Sequence, residues 1–311
     1  MKYQTLGNTD LNISVIGLGT FQLAGSWGQI FQPADVFEIM GAAEDVGVNF
    51  LDTAECYGNH LSEQLIGNSL NSARRKHWII ATKFGHQHNA DGSMTDLWSA
   101  SDVTAQLDAS LNALQMDYID LYQFHSGDDA AFDNDDLWRV LGDAKSAGKI
   151  RHFGLSIRNA AVLENDLHQI EMAKARGITT LQMVYNRLFP DAADKALPFA
   201  QKQGLGVIGR IPLAKGYLAG TYGESINFAE SDHRSQTDVA RHRDLVRSVQ
   251  RFSSEIPHGV TMAQWALAWA LKHPAITAVI PGARNAEQVR SNAAAAEINL
   301  SAQVSETAHV C

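Results

Sequence analysis

The chain has 311 residues, 45% hydrophobic and 19% charged, enough apolar material for one large core or two modest ones. Its 25 basic and 34 acidic residues leave a net charge of −9 with no basic run, which argues against a general nucleic-acid surface. Two cysteines, Cys56 and Cys311, exclude a disulfide framework or a multi-cysteine zinc site and suit a reducing cytoplasm.

The opening MKYQTLGNTDLN has no apolar core of a signal peptide. Within it and just beyond, YQTL and NISVIG flank the turn cluster GNTD and read as a small β-hairpin. Apolar, β-branched runs then alternate with segments of helical spacing. The strand candidates are SVIGLG, VNFLDT, WIIATK, YIDLYQF, IRHFGLSI, TTLQMVY, GVIGRIPL and ITAVIPG. Most are nearly continuous in apolar residues, as strands buried on both faces require. Helical partners include PADVFEIMGAAEDVG, SDVTAQLDASLNALQ, DDLWRVLGDAKSAG and TMAQWALAWALKH, several opening on Ser, Asp or Pro and closing on Gly.

Eight strands alternating with helices predict an α/β fold of the closed (β/α)8 TIM-barrel type, one domain over residues 1–311 with an N-terminal β-hairpin. An open doubly wound sheet would carry a glycine-rich fingerprint after its first strand. The chain reads GLGTFQ there, with Gln22 where the third glycine would fall. The stretch Lys215–Thr237 after strand seven is rich in Gly, Ser and Asp and is expected to be a long mobile loop. The late apolar segment WALAWALKHPAITAVIPG is broken by Lys272, His273 and Pro274, so no membrane span is expected. A cytoplasmic protein with neither membrane nor nucleic-acid partners follows.

Catalytic groups of such barrels gather at the carboxyl ends of the strands. Strand two closes on Asp52, strand three on Lys83 and strand four on His125. Tyr57 follows Asp52 in a loop that can fold over the same mouth. Any one of these, taken alone, would be a rim or packing residue. Together they form a coherent acid: Asp52 holds Lys83 charged, the ammonium lowers the phenol's pKa from near ~10, and His125 hydrogen-bonds a carbonyl oxygen or shares in proton transfer. Such a set protonates a developing alkoxide, which is what carbonyl reduction needs.

The segments DTAECYG, ATKFG and DLYQFH, with GLGTF, GLSIRN, LQMVYN and VIPGARNAEQVRSN, resemble the aldo-keto reductases in order and spacing. The resemblance runs from the first strand nearly to the C-terminus. It implies a barrel whose N-terminal hairpin plugs the base, and NADP(H) bound extended without a Rossmann fold. It implies that Tyr57 is the acid, supported by Asp52, Lys83 and His125. It places Ser156 and Gln182 on the nicotinamide carboxamide and adds cofactor contacts from Gly19, Thr20, Phe21 and Asp52. Ile157 stands where the family has Asn, so one carboxamide contact is missing or comes from elsewhere. Arg210 stands where many members have a stacking aromatic, as in a bacterial-type branch, and a guanidinium also stacks on a planar ring. Ile211, Pro212, Leu213, Lys215 and Gly216 would line the pyrophosphate.

In IPGARNAEQVRSN, Gly282 permits close backbone approach and Arg284 offers a fork suited to phosphate. Gln288 and Asn292 follow at i+4 and i+8 and can face the same ligand. The family uses this pattern for the adenosine 2′-phosphate, so NADPH is the expected cofactor. The pair His86 and His88 raises a metal-dependent hydrolase as a rival, but no further ligands accompany it and no metal is expected. His86 and Trp27 are instead candidates for the substrate pocket, with Tyr57 and His125. Cys56 reads as a small packed residue, and the acidic run SGDDAAFDNDD as a solvated surface. The substrate is expected to be a small carbonyl or alcohol. An alternative is an NADPH-binding sensor on the same fold with little turnover. Substrate identity, reaction direction and oligomeric state are not legible.

Overall fold

The computed structural model describes residues 1–25, 27–89, 93–225, 228, 229 and 232–300. Cys311, residues 90–92 of GHQHNADG, and residues 226, 227, 230 and 231 of the long loop lie outside the described residues.

The strands are β1 Tyr3–Thr5, β2 Asn12–Ser14, β3 Leu18–Gly19, β4 Phe50–Asp52, β5 Ile79–Phe84, β6 His86–His88, β7 Met94–Asp96, β8 Ile119–His125, β9 Ile150–Ser156, β10 Ile178–Val184, β11 Gly206–Arg210 and β12 Ile276–Val279. Eight of them form one parallel sheet in the order β3-β4-β5-β8-β9-β10-β11-β12. Parallel bridges Ile16↔Val279 and Gly19↔Gly282 bring the first strand beside the last. At this seam the Gly17 amide donates to the Val279 carbonyl at 2.8 Å, and the Val279 amide to Val15 at 3.0 Å. The sheet therefore closes on itself as the predicted (β/α)8 barrel. A Cβ on Gly19 would stand 2.6 Å from the Ile280 carbonyl oxygen, so only glycine admits the last strand this closely.

Parallel neighbours need crossovers, and helices supply them. The α-helices among the described residues are α1 Pro33–Asp45, α2 Leu61–Ser69, α3 Ser72–His77, α4 Ala100–Leu114, α5 Asp129–Phe132, α6 Asp135–Ser146, α7 Asn159–Glu164, α8 His168–Met172, α9 Ala196–Gln203, α10 Val239–Arg251, α11 Met262–Lys272 and α12 Ala286–Ala294. Local sequence sets their ends. Pro33 opens α1, and Ser99 and Thr261 build capping boxes with Asp102 and Gln264 at α4 and α11. The α4 helix ends on Gln115 in the left-handed conformation (φ 55°) instead of on a glycine.

The β1–β2 hairpin contributes Leu6, Leu11 and Ile13 to one apolar cluster with Phe50, Ala81, Leu121, Ile208, Ala278 and Ile280 of the barrel interior. It thus stoppers the amino ends of the strands and leaves the carboxyl ends as the open mouth. The polar run after β5, which is not among the strand candidates, folds into the antiparallel hairpin β6–β7. No helix among the described residues is long and apolar enough to cross a membrane.

Candidate active site

Sheet register brings the strand-end residues together. Asp52 lies opposite Ala81, Lys83 opposite Gln123, and His125 opposite Ser156. Tyr57 sits in the turn after β4, where Asn59 and His60 take positive φ values of 52° and 68° and fold the chain back toward α2. The buried Lys83 Nζ donates to Asp52 Oδ1 at 2.7 Å, to the Thr53 carbonyl at 2.6 Å and to Tyr57 Oη at 3.4 Å. It also lies 4.9 Å from the centre of the Tyr57 ring. The Tyr57 and His125 rings meet edge to face with centroids 6.4 Å apart. All four predicted residues are one constellation.

Its electrostatics differ from the sequence expectation in one respect. Burial pushes the Tyr57 phenol up to about 12, and the pull of Lys83 only partly offsets it. Tyr57 is therefore a protonated donor held beside an ammonium and not a lowered phenol. Burial opposes charge on Lys83, yet Asp52 and Tyr57 beside it hold the ammonium above its ordinary range. Burial, with Lys83, His86 and Arg210 nearby, keeps His125 well below 6.5, so its imidazole is neutral at pH 7. The Cys56 thiol, pushed up by burial, lies 3.6 Å from His125 Nδ1. In the tautomer protonated on Nε2, the ring accepts from that thiol at Nδ1. The buried Glu55 carboxyl, pushed up to about 8 by burial, accepts from the His86 amide at 3.0 Å.

Asp52 serves more than Lys83. Its Oδ2 accepts from Gln182 Nε2 at 2.7 Å and from Gln123 Nε2 at 3.1 Å. Ser156 Oγ in turn donates to Gln182 Oε1 at 3.3 Å. Ser156 and Gln182 are thus wired to the acid through one buried network. Ile157 is buried, and its carbonyl accepts from Arg210 Nη2 at 3.2 Å. The backbone of residue 157 thus tethers the guanidinium at the end of β11, and the Ile157 side chain takes no part in that bond. Burial lowers the Arg210 pKa, opposed by Tyr57 and Asp52.

Beyond β11 the chain turns sharply, with positive φ at Ile211 (55°), Ala214 (48°), Lys215 (57°) and Gly216 (95°). A β-branched residue at positive φ is strained, and the buried Asn186 holds Ile211 there by donating to its carbonyl at 3.0 Å. Gln288 Oε1 accepts from the Arg284 amide at 2.8 Å, Asn292 Nδ2 donates to the Gly282 carbonyl at 3.3 Å, and Arg284 Nη2 donates to the Trp27 carbonyl at 3.4 Å. Gly282, Arg284, Gln288 and Asn292 thus meet around the start of α12, as their spacing predicts. Trp27 also pairs with Asp232 of the long loop, and its ring lies under the Arg234 guanidinium. A row of rings, Trp27, Phe21 and Tyr57, leads from that loop to the acid with centroids 6.0 and 5.0 Å apart. His86 lies beside His125 and Trp98, its Nδ1 2.8 Å from Asp96 Oδ1. Neither His86 nor His88 belongs to a cluster of three metal-ligating side chains among the described residues.

Residues 15–309 match the family model described as the Aldo/keto reductase family. The chain belongs to the aldo/keto reductase family. Among its relatives, an uncharacterized oxidoreductase, YrpG, of Bacillus subtilis (strain 168) is 32% identical over 314 aligned residues, 98% of this chain and 94% of that protein. An NADH-specific methylglyoxal reductase of Escherichia coli (strain K12) is 29% identical, covering 97% of this chain and 95% of that protein. The holo form of aldo-keto reductase AKR11C1 from Bacillus halodurans superposes with a TM-score of 0.77 at 28% identity, over 96% of this chain and 92% of that one. Membership makes this aldo/keto reductase an oxidoreductase that works with a nicotinamide cofactor.

The residues at the mouth fit such a group. Arg210 Nε is buried with no hydrogen-bond partner among the described residues, and the strained turn follows it directly after β11. Three functional residues were not read from the sequence. Gln123 lies within a strand whose last residue, His125, drew the attention. Asn186 acts only through the backbone of Ile211. Gln22, noticed for breaking a glycine fingerprint, donates to the Gly19 and Ala283 carbonyls at 3.0 Å each and laces the first strand to the last. The motif comparison contained the signal for Gln22, because a polar residue stood where close packing calls for glycine.

Proposed function

We propose that this aldo/keto reductase reduces an aldehyde or ketone to an alcohol with NADPH, reversibly, with Tyr57 as the proton donor. The observation that carries this reading is the placement of Lys83 Nζ between Asp52 Oδ1, at 2.7 Å, and Tyr57 Oη, at 3.4 Å. Asp52 keeps the ammonium charged and aimed. The ammonium stabilises the phenolate that forms as Tyr57 releases its proton to a developing alkoxide. Neutral His125 donates from Nε2 to the carbonyl oxygen and orients it. A bound nicotinamide supplies the hydride. Ser156 and Gln182 would hold its carboxamide, Arg210 its ring face, and Ile211–Gly216 its pyrophosphate, while Gly19, Thr20 and Phe21 close the cradle from the first strand. Arg284, Gln288 and Asn292 would take the 2′-phosphate, which favours NADPH, although one relative is named as NADH-specific. Trp27 and His86 would shape the pocket for a small-molecule carbonyl in a cytoplasmic, single-domain enzyme.

Tyr57→Phe tests the reading. Removing one hydroxyl should lower kcat for a small aldehyde by about 10²–10⁴-fold while NADPH binding, followed by quenching of intrinsic fluorescence, is retained. Wild-type protein that binds NADPH but consumes none across a broad carbonyl panel would favour the sensor alternative.

A further inference from the structure

We propose that Glu55, Cys56 and His125 form a binding site for a thiophilic divalent cation of the zinc class, built into the wall of the reaction site and sharing His125 with it. One ligand atom from each of the three lies within 4.8 Å of the other two. The separation of Cys56 Sγ and His125 Nδ1 is 3.6 Å. A tetrahedral zinc ion, with Zn–S of about 2.3 Å and Zn–N of about 2.0–2.1 Å, spans roughly that edge. Glu55 Oε1 is occupied by the His86 amide at 3.0 Å. Glu55 Oε2 is buried, on a residue 2% exposed, and has no hydrogen-bond partner among the described residues. A buried carboxylate oxygen left unpaired beside a thiol and an imidazole nitrogen is a donor set without an acceptor.

Charge also favours the assignment. Thiolate and carboxylate together cancel the two charges of the ion, the protons of the Cys56 thiol and of the Glu55 carboxyl passing to solvent on binding. Lys83, whose charge bears on Glu55 and Cys56, is already matched by Asp52 at 2.7 Å. The ligands are preorganised. Glu55 and Cys56 are adjacent in the tight turn after β4, held by the bond from the His60 amide to the Glu55 carbonyl at 2.6 Å, and His125 ends β8. Three protein ligands leave a fourth position for water, the pattern of an exchangeable ion and not of a structural one. An ion here binds Nδ1 of His125 and draws that ring away from the position in which Nε2 orients the carbonyl oxygen, so it should inhibit turnover.

Cobalt(II) chloride is the first probe, titrated into the whole protein. A thiolate-to-cobalt charge-transfer band with one equivalent bound is expected, retained in Cys311→Ser and lost in Cys56→Ala. No band in wild type, or one that follows Cys311, overturns the proposal. Glu55→Gln should weaken cobalt binding at least about tenfold (1.4 kcal/mol), and unchanged affinity removes Glu55 from the site. In the second arm, zinc chloride should lower wild-type turnover about tenfold or more, reversibly with EDTA, and should leave Cys56→Ala near its own zinc-free rate. Equal inhibition of both overturns the proposal. Cys56→Ser, with circular dichroism, replaces the alanine variant should that one fail to fold. This arm rests on the proposed function; the cobalt arm reads binding without turnover and stands apart from it.

Discussion

Asp52 shows how much one residue carries here. Its two oxygens take an ammonium and two amides, from Lys83, Gln182 and Gln123. Reading strand ends found Asp52, Lys83 and His125, because a buried parallel strand is apolar and its closing polar residue stands out. It missed Gln123, which points from mid-strand into the barrel mouth. It also misjudged the Tyr57 pKa, since proximity to Lys83 is visible in sequence and depth of burial is not. A prediction at this scale concerns Arg284. Among the described residues its guanidinium makes one hydrogen bond, at 3.4 Å to the Trp27 carbonyl, with Asp232 bearing on it electrostatically, which leaves donors for a phosphate. Arg284→Ala should raise KM for NADPH about 10- to 100-fold, the worth of a charge-assisted hydrogen bond, and leave KM for NADH nearly unchanged. Steady-state kinetics with both cofactors decides, and an equal rise for the two sinks the 2′-phosphate assignment.

At the scale of elements, capping residues were legible and the second hairpin was not. Ser99, Thr261 and Asn285 accept backbone amides at the starts of α4, α11 and α12, local chemistry that a reader of the sequence can see. The β6–β7 hairpin pairs HQH with MTD, two polar runs without apolar alternation, so no burial pattern announces it. The N-terminal hairpin was legible, but what holds it to the barrel was not. Asp10 accepts from His152 Nε2 and Arg151 Nη2 at 2.7 Å each, across more than 140 residues. These bonds, His152 foremost, hold the Asp10 carboxyl below its ordinary value of 3.8. Because the folded pKa is the lower one, the unfolded chain takes up the proton first. The stabilisation is fully present above the unfolded value and is lost as pH falls through the folded one. Asp10 is exposed, so the effect is screened and should stay under about 1 kcal/mol. Urea unfolding of Asp10→Asn should show a lower midpoint than wild type at pH 6 and a shrinking difference toward pH 3. A difference independent of pH would remove the charge from the account.

At the scale of the whole molecule, closure of the barrel depends on the seam between β3 and β12. Gly19 lets the chains approach, and Gln22, 2% exposed, bonds carbonyls on both sides of the seam. Gln22→Ala leaves two buried acceptors without that donor, and should cost roughly 1–3 kcal/mol in urea unfolding with the far-ultraviolet spectrum of the folded state preserved. A loss below a few tenths of a kcal/mol would place closure in the β-ladder alone.

The order of eight buried strands and their helices, the face on which Asp52, Lys83 and His125 stand, and most helix ends were determined by the amino-acid sequence itself. Periodicity and capping act within a few residues and are written locally. Only the tertiary structure decided that Gln182 and Ser156 join the acid's network, that the Ile157 carbonyl tethers Arg210, that Gln22 closes the barrel, and that Glu55 and Cys56 converge on His125. Those outcomes depend on the register of strands distant in sequence and on how far each group is removed from water, and no local pattern records either quantity.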